Sequence, residues 1–391
     1  MSNRHFDQRT DELLTQLKET GQLKSFYALT GPMGPVAQVA GHGEVLVLCS
    51  NNYLGLANHP DVVAAGIEGL KKYGAGTASV RFICGTFDCH RQIEDRIAEL
   101  VGTEAALTYV SCWNANEALF PTACAPGDVL LSDELNHASI IDSCRLTSKA
   151  VTREVYPHSD LDALDAKLKE HGDAACRWVV TDGVFSMEGD VARLDELVKL
   201  CRDRDAILVV DDSHGVGVLG KTGRGTPEFA NVLGEIDILT GTLGKALGGG
   251  AGGYVAGSRR LIDLLEQRSR PSLFSNALPA TIACSAAMAI EILQTQPEIV
   301  TRLHNNVRAM RDGLAGLGYE CPESPTAIIP IMIGDEAEAI RKGQQLMELG
   351  VMVVGFAFPV VPKGEARLRV QISAALEPEH IEVALDAFAK L

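Results

Sequence analysis

Several features that define other classes of protein are scarce in this chain of 391 residues. No apolar run approaches the ~20 residues that cross a membrane, and the first ten residues lack the apolar stretch of a secretory signal. The ten cysteines are scattered singly, without the paired spacing of a zinc site. We therefore expect reduced thiols, no bound metal and a cytoplasmic location.

Positive charge is also in short supply, because 35 lysines and arginines face 51 acidic residues and leave a formal net charge of −16. A negatively charged surface repels nucleic acids and anionic membranes, so neither is an expected partner. A local cationic pocket for an anionic ligand is still compatible with this balance. Hydrophobic residues make up 46% of the chain, which is enough for one large core or two domains.

Apolar, β-rich runs alternate with helical patterns through the middle of the chain. Such alternation predicts parallel βαβ units, and therefore an α/β sheet that is covered on both faces. The runs that predict strands are Ala105–Ser111, Val129–Asp133, Trp178–Phe185, Ile207–Asp211 and Ile238–Thr240, and helical periodicity is clearest over Arg91–Val101 and Leu194–Arg204.

The two ends of the chain differ from this middle part, which we assign to a large domain over residues 46–278. Residues 1–45 predict an amphipathic helix from Phe6 to Leu17, followed by an irregular arm rich in glycine and proline. Residues 279–391 predict a smaller α+β domain, in which a long helical stretch to about Leu317 comes first. Strand patterns follow at Ile328–Ile333, Met352–Phe356 and Arg367–Ile372.

One lysine, Lys245, stands in unusual surroundings, because a strand-like run ends in small residues just before it and glycines follow it. A poorly solvated ammonium has a lowered pKa, and a neutral amine can form a Schiff base with an aldehyde cofactor. Thr242 offers a hydroxyl to a phosphate group nearby. A Gly-rich surface turn with an ordinary solvated lysine explains this segment equally well.

Polar residues also follow the other predicted strands. Asp211 and His214 end one of them, where the carboxylate suits a heterocyclic nitrogen, although an acidic helix-capping turn is the commoner case. Ser111 leads from a strand into a helix whose N–H groups suit a phosphate. His137 enters another helix, where a lone histidine is more often structural. Arg369 shares a strand face with Arg367, a fork suited to a carboxylate but usually just solvated.

The segment Gly215–Thr222 matches the phosphate-loop pattern GxxxxGK[ST], with Lys221 as its lysine. That pattern needs a strand directly before the glycines and a helix directly after them. Here Asp-Asp-Ser-His intervenes before the loop, and Gly-Arg-Gly-Thr-Pro follows it. A nucleotide-binding protein is therefore a remote alternative, because the helix N-terminus is the physical basis of such a site.

Several polar groups that converge on one sheet edge describe a cofactor site, and the motifs that carry them resemble one family. The chain resembles the α-oxoamine synthases, pyridoxal 5′-phosphate (PLP) enzymes of fold type I, from about Leu13 to its end. The matching motifs are Ser50–Leu56, Ala78–Thr86, Leu135–Asp142, Asp182–Met187, Arg268–Pro271, Leu273–Asn276 and Phe358–Pro362. The resemblance implies a large, mostly parallel seven-stranded sheet, a smaller C-terminal domain and an N-terminal arm.

The resemblance also implies a role for each candidate residue around the cofactor. Lys245 would form the aldimine with PLP and deprotonate the amino acid, which passes through a quinonoid. His137 would stack on the ring, and Asp211 would pair with its nitrogen. The remaining cofactor contacts would be Ser186 and His214 at the phenolic oxygen, Ser111, Cys112, Trp113 and Thr242 at the phosphate, and Phe274 and Ser275 from the partner of a homodimer.

Within the family the motifs are most similar to the members that condense glycine with acetyl-CoA, which would give 2-amino-3-oxobutyrate and CoA. Asn51 and Arg369 would hold the substrate carboxylate. Other members use a different amino acid or a longer acyl-CoA, as in 8-amino-7-oxononanoate synthesis, and that alternative stays open. One departure bears on it: the family usually reads Ser-Ala-Ala-His where this chain has Ser373-Ala-Ala-Leu376.

Overall fold

The computed structural model describes residues 3–20, 22–24, 26–358 and 360–391. Ser25 of the predicted arm and Pro359 of the Phe358–Pro362 motif lie outside these ranges. The strands are β1 (Val36–Val39), β2 (Gly43–Val47), β3 (Ala105–Tyr109), β4 (Val129–Asp133), β5 (Thr152–Tyr156), β6 (Arg177–Asp182), β7 (Ala206–Asp211), β8 (Ile238–Thr242), β9 (Gly253–Gly257), β10 (Ile328–Gly334), β11 (Val351–Met352), β12 (Val354–Phe356) and β13 (Ala366–Gln371).

The helices surround these strands. They are α1 (Arg4–Glu19), α2 (Pro60–Tyr73), α3 (Asp88–Val101), α4 (Cys112–Ala123), α5 (Ala138–Arg145), α6 (Leu161–Glu170), α7 (Leu194–Asp203), α8 (Thr226–Phe229), α9 (Arg259–Arg268), α10 (Arg270–Phe274), α11 (Ala280–Thr295), α12 (Glu298–Gly316), α13 (Glu336–Glu348) and α14 (Pro378–Phe388). No helix in the described ranges is long and apolar enough to cross a membrane.

A seven-stranded sheet in the order β3-β9-β8-β7-β6-β4-β5 forms the centre of the molecule. The strands from β8 to β5 run parallel, and β9 is antiparallel to both of its neighbours. Strand β7 is a run of apolar residues because helices cover both faces of the sheet. The predicted α/β architecture and its large, mostly parallel sheet are confirmed.

The C-terminal part contains an antiparallel sheet in the order β10-β13-β12. The predicted long helical stretch is two helices, α11 and α12, because Pro297 cannot continue the first of them. The single strand expected over Met352–Phe356 is also divided, since β11 and β12 join different sheets. The domain limits at residues 45 and 278 stay predictions.

The prediction of an irregular arm is wrong for its last ten residues, 36–45. β1 and β2 form an antiparallel hairpin, and β2 then pairs in parallel with β11 near the other end of the chain. Gly41 and Gly43 adopt positive φ angles at the turn, which only glycine does without strain. Gly41 and Gly43 therefore form the turn of a hairpin, whereas the glycines and prolines that suggested an irregular arm, Gly31–Pro35, lie before β1.

A histidine bridge fixes the loop after β6, which runs over residues 183–192. The His158 ring lies 2.9 Å from Asp133 at Nδ1 and 2.9 Å from Asp190 at Nε2. Burial disfavours a charge on this ring, but the two carboxylates more than offset it and raise the pKa of His158 to about 10. The bridge is therefore a doubly paired imidazolium that joins β4 to the loop.

We expect His158→Gln to lower the free energy of unfolding by about 2 kcal/mol at neutral pH, because two carboxylates lose their cation. A raised folded-state pKa stabilises fully below the unfolded value of 6.5, and this contribution is lost as pH rises through about 10. The wild-type advantage in urea unfolding should therefore shrink between pH 6.5 and 10. A pH-independent difference would contradict a charged bridge.

Candidate active site

The carboxyl ends of β6, β7 and β8 carry the central group of predicted residues. Asp211 ends β7 and is buried, and Lys245 follows β8 by three residues. Burial lowers the pKa of Lys245, and the charge of Asp211 only partly opposes that effect. The amine is therefore easier to deprotonate than an ordinary lysine, as the surrounding small residues led us to expect.

Asp211 keeps its charge although it is buried. Its carboxylate accepts hydrogen bonds from the Ser213 backbone N–H at 3.0 Å and from Asn116 Nδ2 at 2.7 Å. Burial opposes the charge, but hydrogen bonds from Ser213 and Asn116 and the nearby Lys245 hold the pKa of Asp211 below its usual value. A carboxylate in this state can keep a heterocyclic nitrogen protonated.

The two predicted histidines are both neutral in this arrangement. Burial and the charge of Lys245 hold the pKa of His214 well below its usual value. The Tyr53 hydroxyl oxygen lies 2.8 Å from His214 Nδ1, and it accepts a hydrogen bond from Gln371 Nε2 at 2.9 Å. That hydroxyl can also donate its own proton to Nδ1, and in that arrangement the neutral His214 ring carries its proton on Nε2 as a donor.

His137 occupies the N-terminal end of α5 with its ring solvent-accessible. Its backbone N–H donates to Asp182 at 2.7 Å, and Ser139 Oγ lies 2.7 Å from Nδ1. Desolvation lowers the pKa of the ring more than the Asp211 charge raises it. A neutral, accessible imidazole held at its backbone suits stacking on a flat ligand.

The start of α4 is a potential phosphate site. Ser111 caps this helix by accepting from the Asn114 N–H at 3.1 Å, so the N–H groups of Cys112 and Trp113 belong to the first turn that intrahelical bonding leaves free. Gly253 of β9 allows this close approach, since a Cβ there would lie 2.3 Å from Cys112 backbone atoms. Thr242 lies at the end of neighbouring β8, where its hydroxyl bonds Gly252 and Gly244.

The proposed carboxylate ligands come from distant parts of the chain. Arg369 of β13 donates to the Ser186 carbonyl at 3.0 Å and to Gln371 Oε1 at 3.2 Å, and it lies over the Phe356 ring. Gln371 donates to Asn51 Oδ1 at 2.5 Å, so it links the two predicted ligands. Arg367, the other arginine of this strand, instead donates to the Met187 carbonyl and is buried.

Two predicted cofactor residues lie apart from this group within one chain. Phe274 ends the short helix α10 with 73% of its surface exposed, and the Arg270 guanidinium lies 5.3 Å from its ring. Ser275 directly follows it and lines a small cleft with Thr108 and Asn114. Their suggested contact with a partner's cofactor stays a prediction.

The phosphate-loop alternative fails on geometry. Only the four-residue α8 follows Gly215–Thr222, and the Glu228 carboxylate occupies the loop. It accepts from the Thr222 N–H, at 3.1 and 3.2 Å, and from the Thr222 hydroxyl at 2.8 Å. An acid placed where a phosphate would sit excludes a nucleotide at this loop.

Four residues of the site escaped the analysis of the sequence: Asn116, Asp182, Tyr53 and Gln371. Asp182 and Tyr53 lie inside the motifs Asp182–Met187 and Ser50–Leu56, but those motifs assigned neither of them a role. Asn116 and Gln371 bind residues that are distant in the chain, and no local pattern marks them. No cluster of acidic, histidine and cysteine side chains in the described ranges could hold a metal ion.

Comparison with known proteins agrees with this geometry. The family model of class I and II aminotransferases matches residues 43–388. This chain belongs to that family. The chain is 44% identical to 2-amino-3-ketobutyrate coenzyme A ligase of Escherichia coli K12, covering 100% of this chain and 98% of the relative. It is also 43% identical to 8-amino-7-oxononanoate synthase of Thermoanaerobacter pseudethanolicus, with the same coverage.

A solved structure with a similar sequence has nearly the same fold. It is a Lys-to-Ala variant of serine palmitoyltransferase from S. paucimobilis with a bound PLP–myriocin aldimine. The TM-score is 0.91 at 30% identity, over 99% of this chain and 97% of that chain. The resemblance to the α-oxoamine synthases is thereby confirmed.

We expect Gly253→Ala to displace the start of α4, because backbone atoms of Cys112 cannot yield as a flexible side chain would. The substitution should cost about 2–3 kcal/mol in unfolding free energy and weaken the binding of PLP. Urea unfolding and cofactor titration measure the two effects. Gly76→Ala is the control, since its Cβ would meet no atom within 4 Å. Equal behaviour of the two variants would refute the close approach as a requirement.

Proposed function

We propose that this protein uses PLP to condense glycine with acetyl-CoA, giving 2-amino-3-oxobutyrate and CoA. The observation that carries the proposal is the half-buried Lys245, whose pKa is lowered by burial and which lies within reach of the Asp211 charge. The name of the Escherichia coli relative refers to the same keto acid and to coenzyme A. The amine and the carboxylate are the two groups that an aldehyde-bearing pyridine requires.

The donors around Lys245 fit the rest of this cofactor. The first turn of α4 and Thr242 suit its phosphate, and His137 suits the face of its ring. The Nε2–H of His214, with the Ser186 side chain, suits its phenolic oxygen. When bound, PLP supplies an electron-withdrawing ring that stabilises negative charge on the substrate Cα.

The residues of this chain then have separate tasks. Asp211 holds the proton on the ring nitrogen, because its ionised carboxylate is the acceptor that this proton needs. Arg369 and Asn51 hold the carboxylate of glycine and fix which bond at Cα is exposed to reaction. Lys245, as a neutral amine, takes the proton from Cα.

In the condensation, each bond that forms is matched by one that breaks, so the reaction needs no oxidant and no metal ion. The glycine Cα–H bond breaks and its proton passes to Lys245, and a bond forms between Cα and the acetyl carbonyl carbon. The thioester C–S bond breaks, and CoA leaves as a thiol after it takes up a proton. Lys245 would supply the amine that replaces the amine of the product on the cofactor, and 2-amino-3-oxobutyrate would leave the site.

We also propose that the protein works as a homodimer in the cytoplasm. Exposed apolar side chains support an interface near the site: Phe82 and Ile83 before α3, and Phe274 on α10, are each more than 60% exposed. Phe274 and Ser275 would reach the partner's cofactor across it. All ten cysteines are free, which fits a reducing compartment.

Lys245→Ala should remove both the visible absorption of the lysine-bound cofactor and the activity, since no other amine stands beside Asp211 in the proposed mechanism. Absorption spectra and borohydride reduction followed by peptide mapping measure this. Lys221→Ala is the matched control, because Lys221 is an exposed lysine of the glycine-rich loop and should behave as wild type. An active Lys245→Ala enzyme with an unchanged spectrum would refute the assignment.

The substrate assignment needs a panel of acyl-CoAs with glycine, alanine and serine, with release of free thiol as the readout. We expect glycine with acetyl-CoA to give the highest kcat/KM. One relative is named 8-amino-7-oxononanoate synthase. The competing outcome is the alternative that the family resemblance left open, a preference for a different amino acid or a longer acyl chain. That result would keep the cofactor chemistry and overturn the substrates.

A further inference from the structure

A continuous chain of hydrogen bonds connects the two residues that would flank the cofactor ring. Asn116, in the second turn of α4, donates from Nδ2 to Asp211 Oδ2 at 2.7 Å and to Ser139 Oγ at 2.9 Å. Ser139 Oγ lies 2.7 Å from His137 Nδ1. Asn116 and Ser139 are both buried. Ser139 lies in the motif Leu135–Asp142, whereas Asn116 belongs to none of the motifs that suggested the site.

The orientation of the Asn116 amide follows from its partners. An ionised carboxylate can only accept, so the group that faces Asp211 is the NH2 and not the carbonyl oxygen. The second hydrogen of that NH2 goes to Ser139 Oγ, which therefore acts as an acceptor. The Ser139 hydroxyl hydrogen is then free to donate to His137 Nδ1.

The ring of His137 consequently has one favoured proton arrangement. Both the Ser139 hydroxyl and the Ser139 backbone N–H, at 3.3 Å, point at Nδ1. Two donors at one nitrogen require a lone pair there, so the remaining proton of the neutral ring lies on Nε2. Among the charged groups that act on this ring, Asp211 favours a second proton, and Lys245 opposes it.

We propose that Asn116 is a positioning residue that keeps Asp211 ionised and, through Ser139, keeps His137 in its neutral Nε2–H form. The inference rests on the proposed function, since it concerns the state of the groups on either side of a PLP ring. A protonated ring nitrogen needs an anion beside it, whereas a second cation stacked on the ring would repel it. The Asn116 amide thus favours a negative charge at Asp211 and a neutral ring at His137.

The first test uses the protein without cofactor and does not depend on activity. Ring-labelled ¹⁵N-histidine NMR, with His137 assigned from the His137→Gln spectrum, reports which nitrogen carries the proton. We expect a single Nε2–H form in the wild type between pH 6 and 8, and a mixture of the two neutral forms in Ser139→Ala. A spectrum of Ser139→Ala identical to that of the wild type would overturn the proposal.

The second test measures PLP affinity. Asn116→Leu removes the donor from Asp211 at nearly constant volume, and we expect the dissociation constant of PLP to rise about tenfold, the effect of one lost charge-assisted hydrogen bond. Ser143→Ala is the matched control, because the Ser143 hydroxyl donates to the Asn116 backbone carbonyl and not to its side chain. It should reduce stability and leave the affinity unchanged.

The outcomes separate this inference from the proposed function. Unchanged PLP affinity in Asn116→Leu, or an equal loss in Ser143→Ala, would reduce Asn116 to a packing residue. If the wild type itself does not bind PLP, the proposed function fails, while the NMR test of the His137 proton still decides the hydrogen-bond chain. If Asn116→Leu does not fold, the NMR test on Ser139→Ala decides, because that substitution removes only a hydroxyl group.

Discussion

The charge on Asp211 is the constraint around which this site is built. A buried carboxylate loses its hydration, and this cost must be offset by donors and by positive charge placed in fixed positions. The Ser213 N–H, the Asn116 amide and Lys245 supply them. Lys245 is itself desolvated, and the charge of Asp211 compensates for this only in part. The ammonium that stabilises Asp211 is therefore easier to deprotonate than that of an ordinary lysine.

The same charge explains why its neighbours are neutral. Asp182 lies beside Asp211 on the adjacent strand, and burial together with that neighbouring charge holds the pKa of Asp182 well above its usual value. His214 is neutral for a parallel reason, since burial and nearby positive charges disfavour its protonated form. Asp211 is therefore a single anion surrounded by neutral acid and imidazole groups. A positively charged heterocycle is strongly favoured beside it.

The sequence predicted the parts of this arrangement that depend on local pattern. Lys245 and Asp211 stand directly after apolar strands, and parallel strands place their carboxyl ends at one edge. Tyr53 and Gln371 could not be found in this way, because they meet each other 318 residues apart in the chain. The hairpin over residues 36–47 was missed for a related reason: glycines at its turn look like loop residues until the strands are paired.

The two glycine-flanked lysines show what pattern alone leaves undecided. Lys221 satisfies a precise expression for a nucleotide site, yet the carboxylate of Glu228 bonds the loop around it and no long helix follows. Lys245 satisfies no such expression, but three strand ends surround it with an acid and two imidazoles. Chemistry at a lysine is set by the charges and donors that the fold places within a few ångströms of it. The functional assignment therefore rests on Lys245 within reach of the Asp211 charge, and not on the glycines that first drew attention to the lysine.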